Sequence, residues 1–300
     1  MKPNLDDAST PVVVLPSVHH GGLAITRSLG RLGVPIYNMA PSALRPASCS
    51  KYSRRTFRLD LATQAGEQAV DRLLSAAAEI GSRSILIPTT DVAANFVAEH
   101  ADALGRSFLF PSLPGALVSS LCNKKKMQLL AKEYHVPTPW SFFPDSRADV
   151  ANVLDIASFP LILKATENNK LRECGRRTKA IANDRHQLMQ LYDVMAGPDH
   201  PDLMLQEYIP GGTEQCWMFN GYFNASSECL LGLTGRKIRQ CPLRTGPTAL
   251  GICLRNESLR KTAIDFMQAI GYRGIVDIDF CHDRRDGQYK LLDVNPRIGA

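Results

Sequence analysis

The stretch GIVDIDFCHDRRDGQYKLLDVNPR, residues 274–297, decides the fold. Two apolar runs, 275–280 and 289–295, flank a polar connection that contains Asp286-Gly287, a hairpin signal. Side chains alternate faces along a strand. Val276, Ile278 and Phe280 therefore share one face, and Asp277 and Asp279 the other. In the second run Leu292 and Val294 share one face, while Leu291, Asp293 and Asn295 share the other. Pro296 keeps Asn295 extended, so Arg297 can point the same way. A two-residue turn at 286–287 would pair Asp279 with Val294 and split the acids between faces. A three-residue loop, Arg285–Gly287 with Gly287 left-handed, pairs Asp279 with Asp293 and Asp277 with Asn295. That register is expected, because it puts Phe280 and Leu292 together on the core face.

Carboxylates opposed across a sheet repel, and burying them uncompensated is costly. A hard divalent cation relieves both problems. Two carboxylates and an amide, Asp279, Asp293 and Asn295, suit Mg²⁺ completed by water and phosphate oxygens, with Mn²⁺ as an alternative. The rival reading is an ordinary hairpin with a solvated polar side. The Asn-Pro-Arg continuation favours the ion, because an arginine beside a metal is what a transferring phosphate needs.

Upstream, PVVVLPS (11–17), a helical stretch after HHGG (19–22), and VPIYNM (34–39) form a β-turn-α-β unit of a parallel sheet. A helix over roughly 64–80, a strand at 83–88 and a helix beginning at Thr89, Thr90 or Asp91 continue it. FLFPSLPGALV (108–118) reads as an edge or connection. Next come a basic helix, SSLCNKKKMQLLAKEY (119–134), and a strand, FPLILKAT (159–166). A polar loop over 167–179 and a strand, DLMLQEYIPGG (202–212), follow. Residues 215–223 and 229–240 alternate like antiparallel strands joined by a turn at 224–227.

With 44% hydrophobic and 21% charged residues, the 300-residue chain has an ordinary globular composition. It has no apolar run of bilayer length and no signal-peptide segment, so cytoplasmic residence without membrane attachment is the expectation. Eight scattered cysteines without a C-x-x-C pair read as reduced thiols. The net charge of +6 sits in local clusters that attract phosphate. They lack aromatic interleaving of the kind single-stranded nucleic-acid platforms use, so nucleic acid is not an expected partner.

From about Ser120 onward the chain resembles the ATP-grasp superfamily. The pieces appear in order: NKKKMQLLAKEYHVPTP, FPLILKA, a polar lid, MLQEYIPGG and DIDF…LLDVNPR. The resemblance implies an α/β architecture: a parallel-sheet, Rossmann-like N-terminal domain at 1–118 and an ATP-grasp fold of two α+β subdomains at 119–300. GGLAITRSLGRLGV looks like the N-terminal unit of carboxylate–amine ligases. Such an enzyme phosphorylates a small carboxylate with Mg-ATP, and an amine or other nucleophile, such as a thiol, then displaces phosphate. A homodimer is left open.

By the same resemblance, Lys124 and Lys164 contact ATP phosphates, and Lys179 closes over the triphosphate. Gln206, Glu207 and Ile209 read adenine, and Glu214 takes the ribose hydroxyls. Asp279, Asp293 and Asn295 hold Mg²⁺, and Arg297 stabilises the transferring phosphoryl group. Lys237 and Arg239 bring further cations, with Arg244 beside them. His19 and His20 face the junction with the N-terminal domain, as turn residues or acceptor contacts. Three departures stand out: Asp where many members carry Glu, a lid with the single glycine Gly175, and an end where relatives continue, as in a fragment. The shorter acids and the end keep a non-catalytic nucleotide-binding protein open; a biotin-carboxylase-like carboxylase is the other alternative, disfavoured by the lack of a glycine-rich lid and of a biotin-carrier segment.

Overall fold

The structure, a computed structural model, describes residues 5–64, 66–166, 178–196, 203–241, 246 and 248–299. The first sheet is parallel: β1 (Val12–Leu15), β2 (Ile36–Ala40), β3 (Ser53–Arg58), β4 (Ser84–Pro88) and β5 (Phe108–Leu109) lie in the order β3-β2-β1-β4-β5. Its crossovers carry α1 (His20–Gly30), α2 (Gly66–Ile80), α3 (Asp91–Glu99) and the short α4 (Ala101–Leu104). β1, with all four residues buried, is the centre, and the strand order reverses between it and β4. A crevice therefore opens at the carboxyl ends of β1 and β4, where α1 and α3 begin. His19 and Thr90 cap those helices, accepting from the backbone N–H of Gly21 and Ala93.

α5 (Gly115–Cys122) and α6 (Lys124–Glu133) replace the single basic helix expected over 119–134. The break falls at Asn123, whose extended backbone ends one helix and whose side chain caps the next through the N–H groups of Lys125 and Lys126.

The second sheet is antiparallel, in the order β6-β9-β7-β8. It is built from β6 (Ser141–Phe142), β7 (Leu161–Ala165), β8 (Lys179–Ala182) and β9 (Leu203–Glu207). α7 (Arg147–Val153) and α8 (Arg185–Ala196) cover its apolar face. The third sheet has the order β12-β11-β10-β13-β14: β10 (Cys216–Phe223), β11 (Cys229–Gln240), β12 (Thr248–Cys253), β13 (Gly274–Asp283) and β14 (Gln288–Asn295). α6 and α9 (Glu257–Ala269) bury its inner face against Phe219, Phe223, Ile278, Phe280 and Val294. β3 and β12 are edge strands of their sheets.

The terminal hairpin has the expected pairing but reaches it by another route. Asp279 opposes Asp293 and Asp277 opposes Asn295. The connection, however, spans four residues, 284–287, with Gly287 at φ 72°. A register shift beyond Phe280, which pairs with Leu291, restores the pairing at Asp279. Leu291, not Leu292, therefore enters the core beside Phe280, and Leu292 turns toward the large cavity. The shift also takes Leu291 off the face of Asp293, where strict alternation had placed it.

The hairpin turn is tied to β9. The Asp283 side chain has no solvent exposure and pairs with Arg285 Nη2 at 2.5 Å and Lys290 Nζ at 2.6 Å. Glu207 takes the same two cations at 2.7 and 3.2 Å. The hydrogen bonds from Arg285, reinforced by Lys290, hold the Asp283 carboxyl well below the usual carboxylate range. Its folded pKa is depressed, so its stabilisation is present above the unfolded value near 4 and is lost as pH falls below it. Asp283→Ala should cost about 2 kcal/mol, because Lys290 loses a buried partner while Glu207 remains. Urea unfolding should show a lower midpoint at pH 7 and a shallower loss of stability below pH 4 than in the unaltered chain.

Candidate functional site

A cavity of about 920 Å³ lies where the three sheets meet. The second sheet contributes Lys164, Lys179 and Gln206, the third Cys216, Lys237, Asp277, Asp279, Asp293 and Asn295, and the crevice of the first His19, Thr89 and Asp91. Each wall follows from strand alternation. On β10 every second residue, Cys216, Met218 and Asn220, faces the cavity and pairs with Cys281, Asp279 and Asp277 of β13.

One wall is cationic. Lys164 and Lys179 pair directly across β7 and β8, and Lys124 starts α6 nearby. Lys164 is 6% exposed and donates to Gln206 Oε1 at 2.5 Å. Burial, then repulsion from Lys179 and Lys124, pushes its ammonium well below the usual lysine range, against the pull of Asp293 and Asp279. Burial also lowers Lys179.

The opposite wall is acidic. Asp277, Asp279 and Asp293 occupy one face of the hairpin. Lys237 pairs with Asp279 at 2.7 Å; burial opposes its charge, but Asp279, joined by Asp277 and Cys216, outweighs burial and the ammonium is held above its usual range. Asp277, by contrast, is pushed up to about 7 by burial and by the adjacent Asp279. A Cβ at Gly299 would collide with its carboxylate, so only glycine lets the chain pass so close.

Arg297 is committed to three partners. It donates from Nε to Asp91 at 2.7 Å, from Nη2 to Asn295 Oδ1 at 2.9 Å and from Nη1 to the carbonyl of Ile298 at 3.0 Å. Asn295 in turn donates to Asp277 Oδ2 at 3.3 Å. Asp91 thus joins the first sheet to the acidic wall, a contact between residues 206 positions apart. His19 Nε2 bonds to the carbonyl of Thr89 at 3.0 Å while Nδ1 accepts from Gly21. Burial, with smaller contributions from His20 and Arg297, holds its imidazole low, and the cap needs that neutral form. His20 lines the same cavity.

Several expected site residues stand elsewhere. Arg239 is exposed and outside the cavity lining, because register shifts around Ile238 and Arg239 break the two-residue period and bring Gln240 in instead. The Glu214 carboxylate folds back onto the Gly212 N–H at 3.2 Å and is also outside the lining. Glu207 lines the cavity, yet its carboxylate is taken by Arg285, Lys290 and the N–H of Trp140. Ile209 lines the cavity near Gln206. The 167–177 portion of the lid, Gly175 included, and Arg244 lie outside the described residues. Asp277 was visible as a partner of Asp279 on one strand face, whereas nothing local marks Asp91 beyond its place at a helix start.

Residues 249–300 match the family described as carbamoyl-phosphate synthase L chain, ATP binding domain. The D-aspartate ligase of Enterococcus faecium is 25% identical over 231 residues, 72% of this chain and 53% of that protein. The chain thus spans about half the length of that curated relative. An L-amino acid ligase from Bacillus licheniformis superposes with a TM-score of 0.71 at 18% identity, over 98% of this chain and 68% of that one. The biotin carboxylase domain of Hydrogenobacter thermophilus 2-oxoglutarate carboxylase, solved with MgADP and bicarbonate, gives 0.72 at 15% identity, over 98% and 65%.

Carboxyl carbon-13 NMR of the metal-free protein should show one aspartate titrating near pH 7 that disappears in Asp277→Asn. Its raised pKa makes the folded state lose stability as pH rises from about 4 toward 7, and the variant should lack that loss. A spectrum with every aspartate ionised by pH 5 would refute the crowding of charge at this wall.

Proposed function

We propose that this ATP-grasp chain uses Mg-ATP to activate a carboxylate and join it to an amine. The observation that carries this reading is a lysine cluster, with Lys124 and Lys164 buried, facing a half-buried carboxylate cluster across one cavity. The lysine wall has an excess of positive charge that a triphosphate would relieve. The acidic wall has an excess of negative charge, since Lys237 pairs with only one of three acids and Asp277 is pushed toward protonation. A hard cation fits there. Among the described residues no cluster of three or more His, Cys, Asp or Glu side chains suits a metal ion, and water and phosphate oxygens would complete the shell. Asp279 and Asp293 would hold Mg²⁺, with Asn295 adding the oxygen lone pair not used by Arg297. Bound there, the ion neutralises charge developing on the transferring phosphoryl group.

This chain's own residues do the rest. Lys164, Lys179 and Lys124 bind the phosphates, and Gln206 holds the Lys164 ammonium in place. Ile209 and Leu292 supply apolar surface for the base, next to Gln206 and the backbone of Glu207. Arg297, fixed on three sides, stabilises the equatorial oxygens of the phosphoryl group. A substrate carboxylate oxygen attacks the γ-phosphorus and ADP leaves; an amine nitrogen then attacks the acyl carbon and phosphate leaves. Positioning and charge supply the catalysis. An amino acid substrate is favoured by what the two ligase relatives are named for. The acceptor enters from the crevice at His20, Thr90 and Asp91. The division near residue 118 into an N-terminal unit and a nucleotide-binding unit belongs to the same reading. Among the described residues no helix is long and apolar enough to cross a membrane.

The test is ADP formation from Mg-ATP against paired pools of carboxylates, bicarbonate included, and amines. ADP should accumulate over many turnovers only when a carboxylate and an amine are both present. Release with bicarbonate alone would point to a carboxylase, and nucleotide binding without turnover to a non-catalytic protein. Asp293→Asn should lower turnover at least 100-fold with an unchanged circular dichroism spectrum. Lys164→Ala should weaken ATP binding about tenfold or more by calorimetry, and an unaltered affinity would remove Lys164 from the phosphate site.

A further inference from the structure

We infer that Cys216 and Cys281 form a redox-active dithiol that closes reversibly to a disulfide in the floor of the cavity. They are direct cross-strand partners of β10 and β13. Opposed residues of an antiparallel pair have their Cα atoms about 4.5–5.5 Å apart and project to the same face. That separation falls within the span a disulfide bridges without moving the backbone. Both side chains line the cavity, and both are free thiols. Cys216 is the more open of the two, while Cys281 is 6% exposed. The Cys281 thiol, placed to donate to Cys216, and then Lys237 and Lys179 favour the Cys216 thiolate over the opposing effects of burial and Asp279. An anionic sulfur there is stabilised by its surroundings, the setting in which thiolates react.

The oxidant is a low-molecular-weight disulfide. Cys216 gives up its proton and its sulfur attacks one sulfur of the oxidant. The oxidant's S–S bond breaks, and one small thiol leaves. Cys281 then loses its proton and attacks Cys216 Sγ, expelling the second small thiol. Two protein thiols become one disulfide, and one small disulfide becomes two small thiols. Attack on Cys216 must come through the cavity, so a bound nucleotide should block it. That last consequence rests on the ligase reading, whereas the dithiol itself does not.

The experiment incubates the whole chain with oxidised glutathione, with and without Mg-ATP, and maps peptides by mass spectrometry before and after dithiothreitol. A peptide linking residues 216 and 281 should appear, vanish on reduction, and form at least fivefold more slowly with Mg-ATP. Cys281→Ser should leave a mixed disulfide on Cys216 that does not resolve. Cys281→Ala, with its fold checked by circular dichroism, serves if the serine variant is unstable. Mixed disulfides confined to the exposed Cys49, Cys241 and Cys253, without the link, would overturn the dithiol. Link formation with no effect of Mg-ATP leaves the dithiol standing, and calorimetry of the reduced protein then decides whether nucleotide binding itself has failed.

Discussion

Opposed charge is the constraint on which the site depends. Asp279 faces Asp293 across one hairpin and Lys164 faces Lys179 across another, and neither pairing is favourable alone. The two walls share one cavity, so each feels the other. Asp293 and Asp279 pull the Lys164 ammonium back toward charge, and Lys237 offsets part of the acidic excess. The remaining imbalance is opposite in sign to the proposed nucleotide and metal: a surplus of cations on one wall and of carboxylates on the other. A fold built for stability alone would gain by replacing both clusters with apolar side chains.

Holding two charged walls at a fixed separation requires rigid joints. Glu207, Asp283, Arg285 and Lys290 tie the tip of the last hairpin to the strand that carries Gln206. Asp91 and Arg297 tie the acidic wall to the first sheet at the place where its strand order reverses. Such crevices are where open α/β sheets bind ligands, because helix starts and strand ends converge there without blocking access. The parallel sheet thus forms a third wall, and its residues Thr90, Asp91 and His20 border the cavity.

Two local irregularities show how far periodicity carries. Strict alternation placed Asp277 and Asp279 on one face, and they lie there. The pairing of Asp279 with Asp293 was legible too, though through a three-residue loop that the chain does not make. The shift beside Leu291 restores that pairing and exchanges the roles of Leu291 and Leu292. In β11 the shifts around Ile238 and Arg239 have the reverse effect. They carry Arg239 out of the cavity, although Lys237, two residues earlier, faces in. An extra residue in a strand leaves no mark in composition, so a period-two reading misses it.

The sequence by itself determined the alternation of the terminal strands, the lysine at the end of an apolar run, the β-α-β start and the order of these pieces. Each depends on side chains a few residues apart, where backbone geometry fixes direction. The tertiary structure alone decided that Asp91 meets Arg297, that Glu207 serves the hairpin tip, that Glu214 and Arg239 stay outside, and that Cys216 lies against Cys281. Those contacts join residues up to 206 positions apart, and which distant surfaces meet is set by the packing of whole sheets, a choice that no local pattern of side chains encodes.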